Sequence, residues 1–200
     1  MKNEYALCDY INESLIGTSN KAIFLDRDGT IHVDKVRTHL VKDLEYFDDT
    51  FSSIKKLYDM GYLIIIVTNQ DGIANGLYGK EEMSIFNKQI IDDFSMNGIQ
   101  IAAIYYSPYK REDNHISFKP NSGMLLQAIN DFNLNKVLCY MIGDQINDAI
   151  SASNLGIKTC IVKTGIYKKT IGNNDVKSVG LVGLTNNLTE AIDLIINDIK

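Results

Sequence analysis

The sequence contains no tryptophan, two prolines and three cysteines, and its apolar residues form no long run. The scarcity of proline excludes a proline-rich linker. Cys8, Cys139 and Cys160 are widely spaced and include no C-x-x-C pair, which predicts free thiols in a reducing compartment. No apolar run approaches the roughly 18–20 residues that cross a bilayer, and the N-terminus lacks the pattern of a signal peptide. We therefore expect a cytoplasmic protein with no membrane partner.

Acidic residues outnumber basic ones, and the formal net charge is −5 at pH 7. This charge disfavours nucleic acid as a partner, so attraction of an anionic ligand would require a metal ion or a local basic cluster. A length of 200 residues suits one domain with a full core. We expect an N-terminal arm over 1–20 and a single domain over 21–200. We also expect a monomer, with an oligomer left open.

Strand-like and helix-like patterns alternate after residue 21. Strands are predicted at 22–25, 62–68, 99–107, 136–143 and 157–165, and helices at 51–61, 80–98, 122–132, 146–156 and 185–199. Thr185 or Asn186 is the predicted cap of the last helix. Such alternation is typical of βαβ units, so the expected fold class is α/β, with a parallel sheet flanked by helices.

Polar residues follow four of the predicted strands. The segments are DRDGT (26–30), TNQDG (68–72), FKPNSGM (118–124) and GDQINDA (143–149). Ligands of parallel α/β sheets bind beyond the carboxyl ends of the strands. The pattern therefore predicts one site at that edge, formed by Asp26, Asp28, Thr68, Asn69, Lys119, Asp144 and Asp148.

Converging carboxylates raise one another's pKa unless a cation neutralises them. Mg²⁺ prefers oxygen ligands and commonly bridges carboxylates to a substrate phosphate. In such a site Asp26 would be a nucleophile that forms an aspartyl-phosphate. Asp28 would protonate the leaving oxygen and later deprotonate the attacking water. Asp144, and Asp148 one helical turn later, would complete the metal site.

Groups that bind a phosphoryl unit are present at the same edge. Thr68 and Asn69 offer a hydroxyl and an amide, and Lys119 supplies a positive charge. Each segment alone has another explanation. A D-x-D pair also occurs in turns and in glycosyltransferases, and TNQDG is typical of a turn. Lys119 could be a solvated surface residue, and GDQINDA could be a capped helix start. The combination of all four favours phosphoryl transfer.

Together the four segments resemble the motifs of the haloacid dehalogenase (HAD) superfamily of phosphatases over about residues 21–165. DRDGTIHVD, VTNQDGIANG, KPNSGM and MIGDQINDAISASNLGIKTCIVKTG are similar to the branch that contains heptose bisphosphate and histidinol phosphatases. The resemblance implies a Rossmann-like sheet without a large cap domain. It also implies a Mg²⁺-dependent phosphomonoesterase that acts through an aspartyl-phosphate on a small phosphorylated substrate.

The resemblance also assigns roles to residues. It implies that Asp26 is the nucleophile and Asp28 the general acid and base. Mg²⁺ would be held by Asp26, the backbone carbonyl of Asp28 and Asp144, while Thr68 and Lys119 would stabilise the phosphoryl group. Substrate contacts are implied within 34–37 and 69–71, namely at Asp34, Arg37, Asn69, Gln70 and Asp71.

The sequence departs from this branch in the loop before the lysine. Relatives usually hold structural Zn²⁺ there, but SPYKREDNHISF (107–118) has no cysteine and only His115. Because a zinc site needs about four N or S ligands, we expect no structural zinc. Phe118 stands where heptose enzymes tend to have arginine, although Lys110 or Arg111 could compensate.

The expected substrate is a sugar phosphate such as D-glycero-D-manno-heptose 1,7-bisphosphate. Histidinol phosphate is an alternative within the same class. A receiver-type signalling module also uses a phospho-aspartate, but the second aspartate of the D-x-D pair argues against it. A catalytically idle HAD-like binding protein is a further alternative.

Overall fold

A computed structural model of the chain describes residues 5–165 and 180–200. The strands of these segments are β1 (Leu7–Ile11), β2 (Ala22–Leu25), β3 (Leu63–Asn69), β4 (Ile101–Ser107), β5 (Tyr140–Gly143), β6 (Lys158–Val162) and β7 (Leu181–Thr185). The α-helices are α1 (Thr50–Asp59), α2 (Lys80–Met96), α3 (Gly123–Phe132), α4 (Ile146–Ser153) and α5 (Leu188–Ile199). None of the helices in these segments combines the length and the apolarity that a bilayer crossing requires.

The strands form one sheet in the order β1-β4-β3-β2-β5-β6-β7. Strand β2 lies near the centre, and Phe24 pairs in parallel register with Ile65 of β3 and Met141 of β5. Every neighbouring pair is parallel except β1 and β4, which run antiparallel. The expected α/β class is confirmed, and no second domain covers the sheet edge in the described segments.

Helices cover both faces of the sheet, and the alternation of side chains along β2 shows why. Leu25 packs in a cluster with residues of α1, α2 and α5, including Phe86 and Ile192. Phe24 points to the opposite cluster, which contains Phe132 of α3. A strand buried on both faces needs a continuous apolar sequence. The apolar runs of β2, β3 and β4 therefore form the middle of the sheet.

The predicted strand at 136–143 is shorter than expected. Lys136–Leu138 forms a 3-10 turn, because the Asn135 side chain accepts the N–H of Val137 at 3.2 Å. Val137 is exposed, and the strand begins only at Tyr140. An apolar run is a weak guide to strand length when its first residues face solvent.

The start of the last helix is also corrected. Thr185 ends β7 instead of capping the helix, and Asn187 rather than Asn186 accepts the N–H of Glu190, at 2.9 Å. The strand β7 itself was not predicted, because its residues are only half buried and show no clear alternation. The remaining predicted elements differ from the observed ones by a few residues at their ends.

The segment predicted as an N-terminal arm contains an unpredicted strand. β1 pairs with β4 and places Leu7 opposite Tyr106 and Ile11 opposite Ala103. Much of β1 is exposed or half buried, as is common at a sheet edge. The strand brings Asp9 against α2, where its carboxylate accepts hydrogen bonds from Ser84 and Asn87.

Candidate active site

A cleft of about 810 Å³ lies beyond the carboxyl ends of the central strands. The predicted site residues that line it are Asp26, Asp28, Asp34, Arg37, Thr68, Asn69, Gln70, Asp71, Lys119 and Asp148. Asp144 follows β5 and groups with Asp26 and Asp148, with one oxygen of each within 4.8 Å of the others. The structure therefore brings all the predicted residues to one place.

Lys119 is buried among the carboxylates. Its Nζ lies 2.5 Å from Asp26 Oδ1 and 2.6 Å from Asp148 Oδ1, and it donates to the Val67 carbonyl at 2.9 Å. The Asn69 side chain fixes the lysine backbone: Oδ1 accepts the Lys119 N–H at 3.0 Å, and Nδ2 donates to the Lys119 carbonyl at 3.1 Å. Strand β3 thereby holds the loop that carries the lysine.

The charges of this cluster shift the pKa of its members. Burial raises the pKa of Asp26, Lys119 lowers it, and Asp148 raises it again, so that it lies at about 7. Burial would lower the pKa of Lys119, but Asp148 and Asp26 raise it above its usual value. Lys119 is therefore charged at neutral pH, and it is the cation that keeps the neighbouring carboxylates together.

Asp144 is buried, and within the described segments neither of its carboxylate oxygens accepts a hydrogen bond. Burial, and then the charges of Asp26 and Asp148, raise its pKa to about 9. The backbone closes around this carboxylate at Gly29 and Gly165, where any added Cβ would overlap Asp144 Oδ2 or crowd it. A small oxygen-preferring cation fits three such carboxylates, because it would satisfy the orphaned oxygens and offset the repulsion.

The Asp28 carboxylate is held by hydrogen bonds on both oxygens. Arg27 donates from Nε to Oδ2 at 3.0 Å and from Nη2 to Oδ1 at 3.1 Å. Gln70 Nε2 donates to Oδ2 at 2.8 Å, and the Thr68 hydroxyl lies 3.4 Å from the same oxygen. Burial alone would raise the pKa of Asp28. The charges of Arg27 and His32, together with the hydrogen bonds from Arg27 and Gln70, outweigh burial and lower the pKa.

Tyr78 orients Gln70. Its hydroxyl donates to Gln70 Oε1 at 2.7 Å, which leaves Nε2 to donate to Asp28 and to Thr68 Oγ1, each at 2.8 Å. Burial raises the pKa of Tyr78 to about 12, so the hydroxyl remains a donor at neutral pH. No motif pointed to Tyr78, because its contact with the site arises from the path of the loop between β3 and α2.

The outer cleft is more exposed and carries charge of both signs. Arg37 donates to both oxygens of Asp71, from Nε at 3.1 Å and from Nη2 at 3.0 Å. Asp34 accepts the N–H of Val36 at 2.8 Å, and burial followed by the charge of Asp28 raises the pKa of Asp34. Val36 and Arg37 have left-handed φ angles of 63° and 61°, a strained conformation that often marks ligand-binding loops.

Sequence reasoning missed two further residues of the site. Arg27 is wholly buried, although a charged residue after a strand is normally expected to face solvent. Its place between Asp26 and Asp28 was the only available signal. Gly165 stands in the segment KTG, and its closeness to Asp144 depends on the return of the chain after β6.

The fold and the residues at its edge define a HAD-type hydrolase. The HAD-hydrolase-like family model matches residues 118–191. The chain is 34% identical over 185 residues to D-glycero-beta-D-manno-heptose-1,7-bisphosphate 7-phosphatase of Haemophilus ducreyi, covering 88% of this chain and 96% of that protein. The enzyme of the same name from Pasteurella multocida is 35% identical over 152 residues, with coverage of 72% and 83%. The chain belongs to this family of phosphatases.

A solved structure supports the fold. The D,D-heptose 1,7-bisphosphate phosphatase from B. bronchiseptica, crystallised with magnesium and phosphate, superposes with a TM-score of 0.77 at 20% identity. The match covers 89% of this chain and 99% of the other. It confirms the expected HAD-type α/β fold.

Asp144→Asn is expected to stabilise the metal-free protein. The pKa of Asp144 is about 9 in the folded protein, whereas an aspartate in an unfolded chain has an ordinary pKa of 3.8, so the folded state retains a proton that the unfolded chain releases. Stability should therefore fall as the pH rises between these values. The variant should lack this loss, so it should gain several kcal/mol at pH 8 and clearly less at pH 5. Urea unfolding in EDTA at pH 5 and pH 8 measures the difference.

Asp148→Asn is the matched control for that measurement. Asp148 is paired with Lys119, so its neutralisation should destabilise the protein instead. A destabilised Asp144→Asn variant at pH 8, or an equal effect at both pH values, would contradict the account of Asp144.

Proposed function

We propose that this phosphatase is a Mg²⁺-dependent phosphomonoesterase whose substrate is a heptose bisphosphate such as D-glycero-D-manno-heptose 1,7-bisphosphate. The observation that carries the chemistry is the buried group of Asp26, Asp144 and Asp148 around Lys119 at the carboxyl ends of parallel strands. The choice of sugar rests on relatives of that name at 34% and 35% identity.

Asp26 is the proposed nucleophile. Its backbone N–H is fixed by the Ile142 carbonyl at 2.9 Å, and Lys119 holds Oδ1. Oδ2 makes only a long contact of 3.4 Å, from the Thr30 hydroxyl, among the described residues. This oxygen is therefore the one available to attack phosphorus, forming an aspartyl-phosphate as the bond to the leaving oxygen breaks.

Asp28 is the proposed general acid and base. In its ionised form it can take a proton from the water that cleaves the aspartyl-phosphate. In the first step it must carry a proton for the leaving oxygen. A dianionic phosphoryl group beside Asp28 opposes the ionised form, so substrate binding raises the lowered pKa of this carboxyl group.

The proposed ligands of Mg²⁺ are the carboxylates of Asp26, Asp144 and Asp148 and the backbone carbonyl of Asp28. When bound, the ion supplies positive charge to the phosphoryl oxygens of the substrate. Lys119 adds a second positive charge, and the Thr68 hydroxyl donates to a phosphoryl oxygen. Asn69 keeps Lys119 in place through its backbone.

The sugar is proposed to occupy the outer cleft. Asp34 can accept hydrogen bonds from sugar hydroxyls, and Gln70 borders the phosphoryl site. Arg37 and Asp71, held in one ion pair, are proposed to contact the distal part of the substrate. Asn69 also lines the cleft and is proposed to contact the substrate. Arg111 also lines the cleft and adds a positive charge there.

We further propose that the enzyme acts as a cytoplasmic monomer without structural zinc and without a nucleic-acid partner. The free thiols of all three cysteines suit a reducing compartment. The loop 107–118 contains one histidine, His115, and no cysteine, and His115 Nδ1 lies 2.8 Å from the Ser117 hydroxyl. The loop therefore cannot supply the nitrogen and sulfur ligands that form structural zinc sites.

The substrate is tested by phosphate release with Mg²⁺ from a heptose 1,7-bisphosphate, its two monophosphates, histidinol phosphate and nucleotides. We expect the highest kcat/KM for the bisphosphate, because the outer cleft offers arginine side chains to the second phosphate. A higher kcat/KM for histidinol phosphate would overturn the choice of sugar. No release from any compound would favour the idle binding protein.

Asp26→Asn should abolish turnover, because an amide oxygen is a far weaker nucleophile than a carboxylate. We expect kcat to fall by at least about 10³-fold, measured by phosphate release under substrate saturation. Asp92→Asn makes the same chemical change on the exposed surface of α2 and should leave kcat unchanged. Activity of the Asp26 variant near the wild-type level would exclude the aspartyl-phosphate.

A further inference from the structure

Arg27 is an unusual component of the site because its side chain is completely buried. A buried guanidinium group is costly unless its donors and its charge are matched. Asp28 supplies the opposite charge, and the Thr38 carbonyl accepts from Nη2 at 3.1 Å. Arg27 Cζ also lies 4.7 Å from the centre of the Phe86 ring. Arg27 is thus fixed on several sides, and it fixes Asp28 in turn.

Asn87 of α2 provides a further contact of the arginine. Arg27 Nη1 donates to Asn87 Oδ1 at 2.9 Å, and the Asn87 side chain is itself buried. An amide could present either its oxygen or its NH₂ group to this position. Only the oxygen can accept from a guanidinium group, which has donors alone. The orientation of the Asn87 amide therefore decides whether Arg27 is held or repelled.

Asp9 of β1 sets that orientation. Asn87 Nδ2 donates to Asp9 Oδ2 at 2.9 Å, while Ser84 donates to Asp9 Oδ1 at 2.5 Å. Both Asp9 oxygens accept hydrogen bonds, so Asp9 faces the NH₂ side of the Asn87 amide, and the amide oxygen points toward Arg27. The edge strand β1 thereby reaches the centre of the site through two side chains.

We propose that Asp9, Asn87 and Arg27 form a positioning chain that fixes the Asp28 carboxylate for proton transfer. The proposal rests on the proposed role of Asp28 as general acid and base. Tyr78 and Gln70 hold the same carboxylate from the other side. Asp28 is therefore held between the Gln70 amide on one side and the Arg27 guanidinium group on the other.

The positioning chain predicts a dependence of the kinetics on the leaving group that a merely structural contact would not produce. A sugar phosphate has a poor leaving group that needs a proton from Asp28, whereas p-nitrophenolate leaves without one. A displaced Asp28 should therefore slow phosphorylation of Asp26 by a sugar phosphate and leave phosphorylation by p-nitrophenyl phosphate unchanged. Breakdown of the aspartyl-phosphate, which needs the base, should slow with both substrates.

The test compares Asn87→Leu and Asp9→Ala with wild type and with Asp28→Asn as the reference for loss of the acid and base. Ser84→Ala is the matched control, because it removes the other hydrogen bond of Asp9 and leaves the link to Asn87 intact. Steady-state kinetics with the best sugar phosphate give kcat and KM for each variant. Rapid mixing with p-nitrophenyl phosphate gives the rate constant of the p-nitrophenolate burst.

We expect Asn87→Leu to lower kcat for the sugar phosphate by about 10- to 100-fold, with KM changed less than about twofold. The p-nitrophenolate burst should keep its wild-type rate constant while the following steady state slows. Asp9→Ala should show the same pattern with a smaller loss of kcat. If Asn87→Leu does not fold, Asp9→Ala alone tests the proposal. Ser84→Ala should match wild type.

Two results would overturn the positioning chain. One is kinetics of both variants equal to those of Ser84→Ala. The other is an equal slowing of the burst and of sugar-phosphate turnover, as expected from general damage to the fold. If Asp28→Asn slows the p-nitrophenolate burst and sugar-phosphate turnover equally, the proposed role of Asp28 as acid and base is wrong. This result is distinct from a failure of the positioning chain.

Discussion

The central constraint on this site is that three buried carboxylates, which repel one another, converge on one lysine. Lys119 bonds to Asp26 and Asp148, but among the described residues the Asp144 carboxylate has no hydrogen-bonding partner. One ammonium group could not balance all three carboxylates in their ionised forms, and the pKa of Asp144 is accordingly raised to about 9. The parallel strands bring these residues together at their carboxyl ends, and Gly165 leaves room for the unpaired carboxylate. The site is thus built to be completed by a cation, which would offset the repulsion among its carboxylates.

Asp26 and Asp28 are separated by one residue but have opposite electrostatic environments. This difference suits them to different chemical roles. The pKa of Asp26 is raised by burial among other acids, whereas that of Asp28 is lowered by the charge of Arg27. Asp26 therefore depends on added positive charge to act as a nucleophile. Asp28 is ionised and fixed by side chains, so it is suited to exchange protons with the leaving oxygen and with water.

The sequence was sufficient for features that are local along the chain. Apolar runs predicted the central strands, and polar residues at their ends predicted which side chains meet in the cleft. Contacts of side chains away from the strand ends were not predictable: Asn87 lies within α2, 60 residues from Arg27, and no sequence pattern pairs the two. The edge strand β1 was missed because its exposed residues lack alternation. The unpaired state of Asp144 depends on packing that no motif records.

The most direct test of the central claim is calorimetric titration of Mg²⁺ into the protein at pH 8, in buffers of different ionisation enthalpy. Because the pKa of Asp144 is about 9 without the ion, binding of one Mg²⁺ per chain should release about one proton. Asp144→Asn should lose most of the affinity and the proton release. Absence of binding, or binding without proton release, would contradict a site formed by mutually repelling carboxylates.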